Sequence, residues 1–284
     1  MLELETPAAM REWADRARAG GRRIGLVPTM GYLHDGHLSL IAEARRRASA
    51  CVASIFVNPM QFSAAEDLSA YPRDLDRDRA ALAAAGVDVL YAPTADDMYP
   101  AGFQTEVTVT RVSAGLCGRS RPGHFRGVAT VVTKLFNAVK PHVAVFGAKD
   151  FQQLAVIRRM AADLDLGIEI VGAPIVREAD GLAMSSRNAY LSTAERVAAR
   201  CLSRALAAGS DAYAGGVRGA DVMLERVRAV LSAEPLARVD YAELVDAETI
   251  EPVLTIERPT LLALAVQIGR ARLIDNTVLA ATSA

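Results

Sequence analysis

The sequence lacks the two glycine-rich patterns with which many proteins hold phosphate groups, GxxxxGK[ST] and GxGxxG. A phosphate-bearing ligand would therefore have to be held by other groups. Cysteine is also scarce. Cys51, Cys117 and Cys201 are odd in number and far apart, which argues against a disulfide framework and against a CxxC metal site. We therefore expect the protein to work in a reducing cytoplasm.

Long apolar runs and an excess of charge are missing as well. The longest apolar stretches are interrupted by Lys134, Arg158 or Asp163 and fall short of the roughly 18 residues that span a bilayer. The first 20 residues carry acidic side chains and have the spacing of an amphipathic helix rather than of an export signal. The formal net charge is −1 and the pI is near 6.5, so the chain has no global positive field. We expect neither a nucleic-acid nor a membrane partner.

The sequence does contain enough apolar side chain for a large core, since 51% of its 284 residues are hydrophobic and 23% are charged. This length exceeds the roughly 100 to 200 residues of one domain, so we expect two. Short runs rich in Val and Ile alternate with helical spacing, which is typical of a parallel, doubly wound, Rossmann-like sheet. The predicted strands are 23–29, 51–57, 87–91, 142–146 and 168–176, and the predicted helices between them are 37–49, 75–85, 127–140 and 150–164.

The α/β alternation stops near residue 176, which predicts an N-terminal domain over 1–176. The remainder, 177–284, contains two helical stretches at 193–213 and 219–233, followed by segments that alternate with period two. We expect it to form a smaller α+β domain that acts as a lid. The basic segment 115–123 is predicted to be a mobile surface loop.

The first predicted strand is followed by Met30-Gly31-Tyr32-Leu33-His34-Asp35-Gly36-His37. Ligands favour the carboxyl edge of such sheets, and a helix N-terminus offers unpaired N–H groups to an anion. Gly31 and Gly36 let the backbone approach closely, while His34 and His37 lie three residues apart and can donate to phosphate oxygens. Two other interpretations stay open: the histidines cap the helix, or they bind a metal with a third partner.

Two further segments end strands at the same edge of the sheet. SIFVNPMQF places Asn58, Gln61 and Phe62 there, and a glutamine amide suits a substrate that carries hydroxyl groups beside a carboxylate. A turn started by Asn-Pro is the alternative. In GAKDFQQ, Lys149 can follow charge as it moves between phosphates, whereas Asp150 is a good helix N-cap and capping alone would explain it.

The segment Met184-Ser185-Ser186-Arg187-Asn188 carries two hydroxyl groups and a guanidinium, which suit phosphate oxygens. A capping box at Ser192 and Glu195 lies downstream and does not account for these groups. Asp76 and Asp78 could help to hold Mg²⁺, although a solvated helix face is the simpler interpretation. His124 and Arg126 precede a predicted helix and could reach an anion or simply start that helix.

HxGH after the first strand and MSSRN, a degenerate KMSKS loop, resemble signatures of the nucleotidylyltransferase and class I synthetase superfamily. A larger set resembles the pantothenate synthetase family in order and spacing, from the N-terminal motifs to the tail, and so covers nearly the whole chain. Ala148 and Tyr32 depart from residues frequent in that family, but neither departure removes a proposed ligand. The motifs are LVPTMGYLHDGHLSLI, SIFVNPMQF, YPRDLDRD, RPGHFRGVATVVTKLFN, FGAKDFQQLAVIRRM, READGLAMSSRNAYLS, VDYAELVDAETIEPV and LLALAVQIGRARLIDN.

The resemblance implies an ATP-dependent ligase that joins pantoate to β-alanine through a pantoyl-adenylate, releasing AMP and pyrophosphate. It implies Mg²⁺ with ATP as co-substrate, no tightly bound organic cofactor, and a homodimer formed through the N-terminal domain. A nucleotidylyltransferase, a tRNA synthetase and a nucleotide-binding regulator are the competing functions. The implied catalytic residues are His34, His37 and Lys149; those for ATP are Met30, Gly31, His34, His37, Gly147, Lys149, Asp150, Val176, Met184, Ser185, Ser186 and Arg187; those for pantoate or β-alanine are Asn58, Gln61 and Gln153; the implied metal ligand is Asp78.

Overall fold

The computed structural model describes residues 1–62 and 71–280. Its N-terminal part is built on a six-stranded sheet whose paired strands all run parallel, in the order β1-β4-β3-β2-β5-β6. The predicted Rossmann-like architecture is thereby confirmed. The strands are β1 (Leu2–Leu4), β2 (Ile24–Thr29), β3 (Ala50–Ile55), β4 (Val89–Tyr91), β5 (Val143–Gly147) and β6 (Glu169–Ala173).

Helices cover both faces of this sheet, which explains why its central strands are continuous apolar runs. Successive side chains of β2 point to opposite faces. Ile24 and Leu26 pack into one apolar cluster and Val27 into the other. The helices of the N-terminal part are α1 (Pro7–Ala19), α2 (Asp35–Arg47), α3 (Leu75–Ala84), α4 (Ala95–Met98), α5 (Leu116–Ser120), α6 (His124–Val139) and α7 (Phe151–Asp163).

The C-terminal part is a three-stranded antiparallel sheet with helices on one face, which confirms the predicted smaller α+β architecture. Leu262 and Leu264 of its middle strand pack against those helices, whereas Leu261 and Ala263 belong to the cluster that fills one face of the large sheet. The small sheet is therefore sandwiched between its own helices and the N-terminal part. Its elements are α8 (Thr193–Ala199), α9 (Cys201–Ala214), α10 (Ala220–Ser232), β7 (Ala237–Asp246), β8 (Thr260–Ile268) and β9 (Ala271–Leu279).

Three predictions about elements were wrong in detail. The helix predicted at 193–213 is interrupted at Arg200, between α8 and α9. The last parallel strand ends at Ala173 rather than at residue 176. The segment 115–123 is no simple surface loop, because α5 lies within it and buries Leu116 and Cys117. The buried side chain of Gln152 supports α5 by accepting from the N–H of Cys117 and donating to two carbonyls just before it.

The predicted division at residue 176 falls in the connection between β6 and the C-terminal apolar cluster, whose first member is Leu182. The lid role of the C-terminal part stays a prediction. None of the helices in the described residues is long and apolar enough to cross a membrane.

Candidate active site

His34 and His37 cap helix α2 reciprocally. The Nδ1 atom of His34 accepts the N–H of Gly36 at 3.1 Å, and the Nδ1 atom of His37 accepts the N–H of His34 at 3.3 Å. Because a backbone N–H can only donate, both Nδ1 atoms are unprotonated and each ring carries its proton on Nε2. The two rings lie 4.1 Å apart and line one cavity. Capping and ligand binding are therefore compatible functions of the same two side chains.

Both histidines are neutral at pH 7. Burial, with the nearby charge of Lys149 as the next cause, lowers the pKa of His34 from 6.5 to about 4. Burial, reinforced by His34 and Lys149, lowers the pKa of His37 to about 3. Each ring is thus a neutral donor through Nε2–H and can approach an anion at a helix N-terminus without carrying a charge of its own.

Asp78 holds the loop that precedes these histidines. Its carboxylate is 1% exposed and accepts the N–H groups of Tyr32 and Leu33, each at 2.7 Å. Gly31 has a φ of 82°, and a Cβ there would lie 3.0 Å from a carboxylate oxygen of Asp78. The described residues contain no group of three or more His, Cys, Asp or Glu side chains that could hold a metal. The geometry therefore gives Asp78 a role in shaping the loop and offers no support for its predicted role as a metal ligand.

Gln61 lies where the sequence predicted, at the carboxyl edge beyond β3. A 3-10 helix at Pro59–Gln61 is capped by Asn58, whose Oδ1 accepts the N–H of Met60 at 3.2 Å. The Nδ2 atom of Asn58 donates to the carbonyl of Gly127 at 3.0 Å and to Oε1 of Gln61 at 3.2 Å. Asn58 and Gln61 both line the cavity of the histidines, but Asn58 uses its amide within the protein.

Lys149 is held between the two parts of the molecule. Its Nζ donates to the carbonyl of Met184 at 3.1 Å, and burial lowers the pKa of its ammonium. From β9, the side chain of Asn276 donates to the carbonyls of Ala148 at 3.1 Å and Lys149 at 2.8 Å. The neighbouring Asp150 makes no capping hydrogen bond with its side chain, so capping does not explain it.

The loop with two serines and an arginine faces the same space. Ser185 Oγ accepts the N–H of Arg187 at 3.2 Å and so caps a short 3-10 helix at Ser186–Tyr190. The Oγ atom of Ser186 lies 3.5 Å from the hydroxyl of Tyr71. The hydroxyl of Ser185 is thus engaged in a hydrogen bond within its own loop. The capping box predicted at Ser192 is present downstream and is separate from it.

Two adjoining cavities of about 200 and 710 Å³ make up the site. The smaller one holds His34, His37 and Gln61, and the larger one extends along the C-terminal sheet past Arg272. Gly147 ends β5 and directly follows Phe146, which lines the smaller cavity. The carbonyl of Val176 accepts the N–H of Met184 at 3.0 Å, and neither of these two residues is among those that line the cavities. The residues that line both cavities are Tyr71, Lys149, Asp150, Gln153, Arg187, Arg272, Ile274 and Asp275.

Sequence reasoning missed the contribution of β9. Arg272 stacks over Tyr241, with its guanidinium carbon 5.6 Å from the ring centroid, and contacts the sulfur of Cys117 at 3.4 Å. Asp275 is 2% exposed and pairs with Arg177 through two hydrogen bonds of 2.7 and 3.0 Å. No spacing in the sequence links β9 to the N-terminal motifs, since only the packing of the small sheet brings them together.

The fold and the site together define an α/β enzyme whose cavity lies at the carboxyl edge of a parallel sheet, with neutral histidine donors at a helix N-terminus and a lysine opposite them. The family model described as pantoate-beta-alanine ligase matches residues 3–278. The chain belongs to this family and is accordingly a ligase that forms a carbon–nitrogen bond.

Individual relatives and solved structures support the same family assignment. The chain is 59% identical over 279 residues to the pantothenate synthetase of Geobacter sulfurreducens, covering 98% of this chain and 99% of that one. The structure of pantothenate synthetase from Thermus thermophilus matches with a TM-score of 0.93 and 47% identity, covering 98% of this chain and 99% of that one. A pantoate-beta-alanine ligase from Francisella tularensis, complexed with beta-gamma ATP and beta-alanine, matches with a TM-score of 0.82 and 31% identity over 98% and 97% of the two chains.

Proposed function

We propose that this protein joins pantoate to β-alanine in an ATP-dependent reaction that proceeds through a pantoyl-adenylate and releases AMP and pyrophosphate. The observation that carries the proposal is the reciprocal cap of His34 and His37, which fixes two neutral Nε2–H donors in the wall of the cavity that Lys149 also lines. The nucleotide and the amine with which the Francisella tularensis ligase is complexed support the choice of substrates.

In the first step the pantoate carboxylate attacks the α-phosphorus of ATP. An oxygen–phosphorus bond to the carboxylate forms, and the bond to pyrophosphate breaks. The carboxylate is already ionised at pH 7, so no general base is needed. His34 and His37 donate to phosphoryl oxygens, and Lys149, Ser186 and Arg187 follow the charge that leaves with pyrophosphate.

In the second step the amine of β-alanine attacks the acyl carbon of the mixed anhydride. The carbon–nitrogen bond forms, the bond to AMP breaks, and the amine loses a proton. Gln61 and Gln153 hold the pantoyl group in the smaller cavity, beside the histidines. The adenylate thus stays in place between the two steps.

Mg²⁺ is proposed to enter with ATP, because this ion keeps several waters and binds substrate phosphates with few protein ligands. Asp78 is not among the residues that line either cavity, and both oxygens of its carboxylate already accept backbone N–H groups, so its position does not favour a ligand role toward this ion. We therefore assign no step to a protein-bound metal. We also propose a homodimer, which the molar mass measured by light scattering would test.

The test uses ATP, Mg²⁺ and pantoate with and without β-alanine, and follows pyrophosphate, AMP and the amide. Amide and AMP that depend on both organic substrates support the ligase. Transfer of AMP to pantoate that never yields amide would instead indicate a nucleotidylyltransferase, and nucleotide binding without turnover would indicate a regulator.

Substitution of Lys149 tests the site itself. Lys149→Met removes the ammonium and keeps the length of the side chain, and we expect kcat to fall by about 100-fold or more. Lys140→Met is the matched control, because Lys140 lies outside both cavities and pairs with Asp15 at the surface. A folded Lys149→Met protein with the activity of the control would contradict the role of Lys149.

A further inference from the structure

The side-chain amide of Asn58 can be oriented without ambiguity, because backbone groups with fixed hydrogen-bonding character flank it. The N–H of Met60 can only donate and lies 3.2 Å from Oδ1, while the carbonyl of Gly127 can only accept and lies 3.0 Å from Nδ2. The oxygen of Asn58 therefore faces Met60 and its NH₂ group faces Gly127.

The orientation of the Asn58 amide determines the orientation of the Gln61 amide. The second hydrogen of the Asn58 NH₂ group is donated to the atom of Gln61 that lies 3.2 Å away, which must then be the carbonyl oxygen Oε1. The NH₂ group of Gln61 is consequently turned away from Asn58 and lies 2.9 Å from the sulfur of Met30, a residue that lines the smaller cavity. Gln61 thus presents a donor, and not an acceptor, to a ligand in that cavity.

Tyr99 completes the chain of hydrogen bonds. Its hydroxyl lies 2.8 Å from Oδ1 of Asn58, and because an amide oxygen only accepts, Tyr99 must donate. With Met60 and Tyr99 as donors and Gly127 and Gln61 as acceptors, Asn58 has no hydrogen-bonding capacity left for a ligand. Its predicted role in binding pantoate is thereby replaced by a role in fixing Gln61.

The aromatic ring of Tyr99 is held in place by its surroundings. The ring centroids of Phe56 and Phe103 lie 6.1 and 5.1 Å from it, and the ammonium of Lys134 lies 5.8 Å from its centre. Burial raises the pKa of the Tyr99 hydroxyl, so the hydroxyl keeps the proton that it donates. Tyr99 is not among the residues that line either cavity, although its ring packs against Phe56, which lines the smaller one. Its hydroxyl reaches that cavity through Asn58, and Tyr99→Phe removes the hydroxyl while keeping the ring.

We propose that Tyr99 is a positioning residue for substrate selection: through Asn58 it locks the Gln61 amide with its NH₂ group toward the cavity, where that group recognises a hydroxyl oxygen of the hydroxy-acid substrate. The proposal rests on the proposed function, because it assigns the pantoate site to the cavity around Gln61. Without the Tyr99 proton, Oδ1 of Asn58 loses one of its two donors, and both amides become freer to rotate.

The experiment compares Tyr99→Phe with Tyr91→Phe. Each change removes one phenolic hydroxyl from the same region of the fold, but within the described part of the chain the Tyr91 hydroxyl donates to the sulfur of Met98, at 3.7 Å, and not to a residue of the cavities. We expect Tyr99→Phe to raise KM for pantoate about 10-fold, which corresponds to about 1.4 kcal/mol. We expect kcat and the KM values for ATP and β-alanine to stay within about 2-fold, and Tyr91→Phe to resemble the wild type.

Two further readouts separate positioning from a structural effect. Analogues of pantoate that lack the 2-hydroxyl or the 4-hydroxyl should show which oxygen Gln61 recognises, because for one of them Tyr99→Phe should cause almost no additional loss. In a Gln61→Ala background the effect of Tyr99→Phe should disappear. Equal losses for every substrate, an unchanged KM for pantoate, or full additivity with Gln61→Ala would overturn the proposal. Absence of amide formation by the wild-type protein would instead refute the proposed function.

Discussion

The two capping histidines should make this protein sensitive to mild acid. In the folded protein burial lowers the pKa of His34 to about 4 and that of His37 to about 3, whereas both have ordinary values of 6.5 when the chain is unfolded. Between these values the unfolded state binds more protons than the folded state, so the free energy of unfolding rises with pH. Their contribution is complete above pH 6.5 and is lost as the pH falls from 6.5 toward 4 and 3.

The magnitude follows from the two shifts. Taken at face value, lowering the pH from 7 to 5 would remove about 2 kcal/mol for each histidine. Both side chains are half-buried, and the water that still reaches them weakens the effect. We therefore halve the contribution of each histidine, which leaves about 2 kcal/mol for the pair. Aspartate and glutamate side chains with ordinary pKa values titrate below this pH range and contribute little to the slope.

A double substitution removes the titration and keeps the helix cap. Asn is a preferred N-cap residue, and Gln is a standard partner at the third helical position, so His34→Asn with His37→Gln should preserve the reciprocal hydrogen bonds. We expect its free energy of unfolding at pH 7.5 to stay within about 1 kcal/mol of the wild-type value. From pH 7 to pH 5 it should lose about 2 kcal/mol less than the wild type does.

Urea unfolding at pH 7.5, 7.0, 6.0 and 5.0, followed by circular dichroism, measures these slopes. His142→Asn is the matched control, because the Nδ1 atom of His142 also accepts a backbone N–H, that of Ile24 at 2.9 Å, but the ring lies nearer to solvent. The control should change the slope less than the double variant does. If the double variant and the wild type lose the same free energy between pH 7 and pH 5, the two histidines are not buried in the neutral form that we describe.

Two further substitutions test the attachment of the segment that follows β6 to strand β9 and the support of the substrate glutamine. Arg177→Ala removes the two hydrogen bonds and the positive charge that Arg177 gives to the carboxylate of Asp275, which is 2% exposed and keeps the N–H of Asn276, so urea unfolding should show a loss of about 3 kcal/mol. The exposed ion pair removed by Arg159→Ala should contribute less than about 1 kcal/mol; equal losses would contradict this assignment. In Gly127→Ala the new Cβ would lie 2.3 Å from the carbonyl oxygen of Met60. We expect this contact to displace the 3-10 helix of Gln61, to lower stability by about 1 to 3 kcal/mol and to raise KM for pantoate, and an unchanged KM would show that the helix absorbs the extra methyl.

Local patterns in the sequence predicted the large elements well, because the features that form them are local. The apolar runs that became β2 and β3 and the helical spacing of α2 are visible in the sequence. Strand β1 was not predicted, since three residues carry no periodicity and their strand character comes from pairing with β4. The break at Arg200 was missed for a similar reason: nothing in the apolar spacing marks the end of α8.

The histidine motif shows which features of the site the sequence predicts and which it does not. Its position after the first strand predicted both a helix cap and an anion site, and left the choice between them open. The structure shows the cap, fixes the proton of each ring on Nε2 and brings Lys149 to the same cavity. The tautomers follow from hydrogen bonds to individual backbone atoms, which no spacing rule contains.

The sequence by itself determined the parallel α/β architecture, the smaller C-terminal α+β part and the strand ends at which His34, Gln61 and Lys149 lie. It did so because a buried parallel sheet requires apolar strands alternating with helices, and because its strand ends share one edge. Only the tertiary structure decided three contacts: the hydrogen bond from the Asn276 side chain to the carbonyl of Lys149, the hold of Asp78 on the histidine loop, and the contact from Tyr99 to Asn58 through which we propose that Gln61 is oriented. These contacts join residues up to 127 positions apart, and their geometry depends on the packing of whole elements rather than on neighbouring residues.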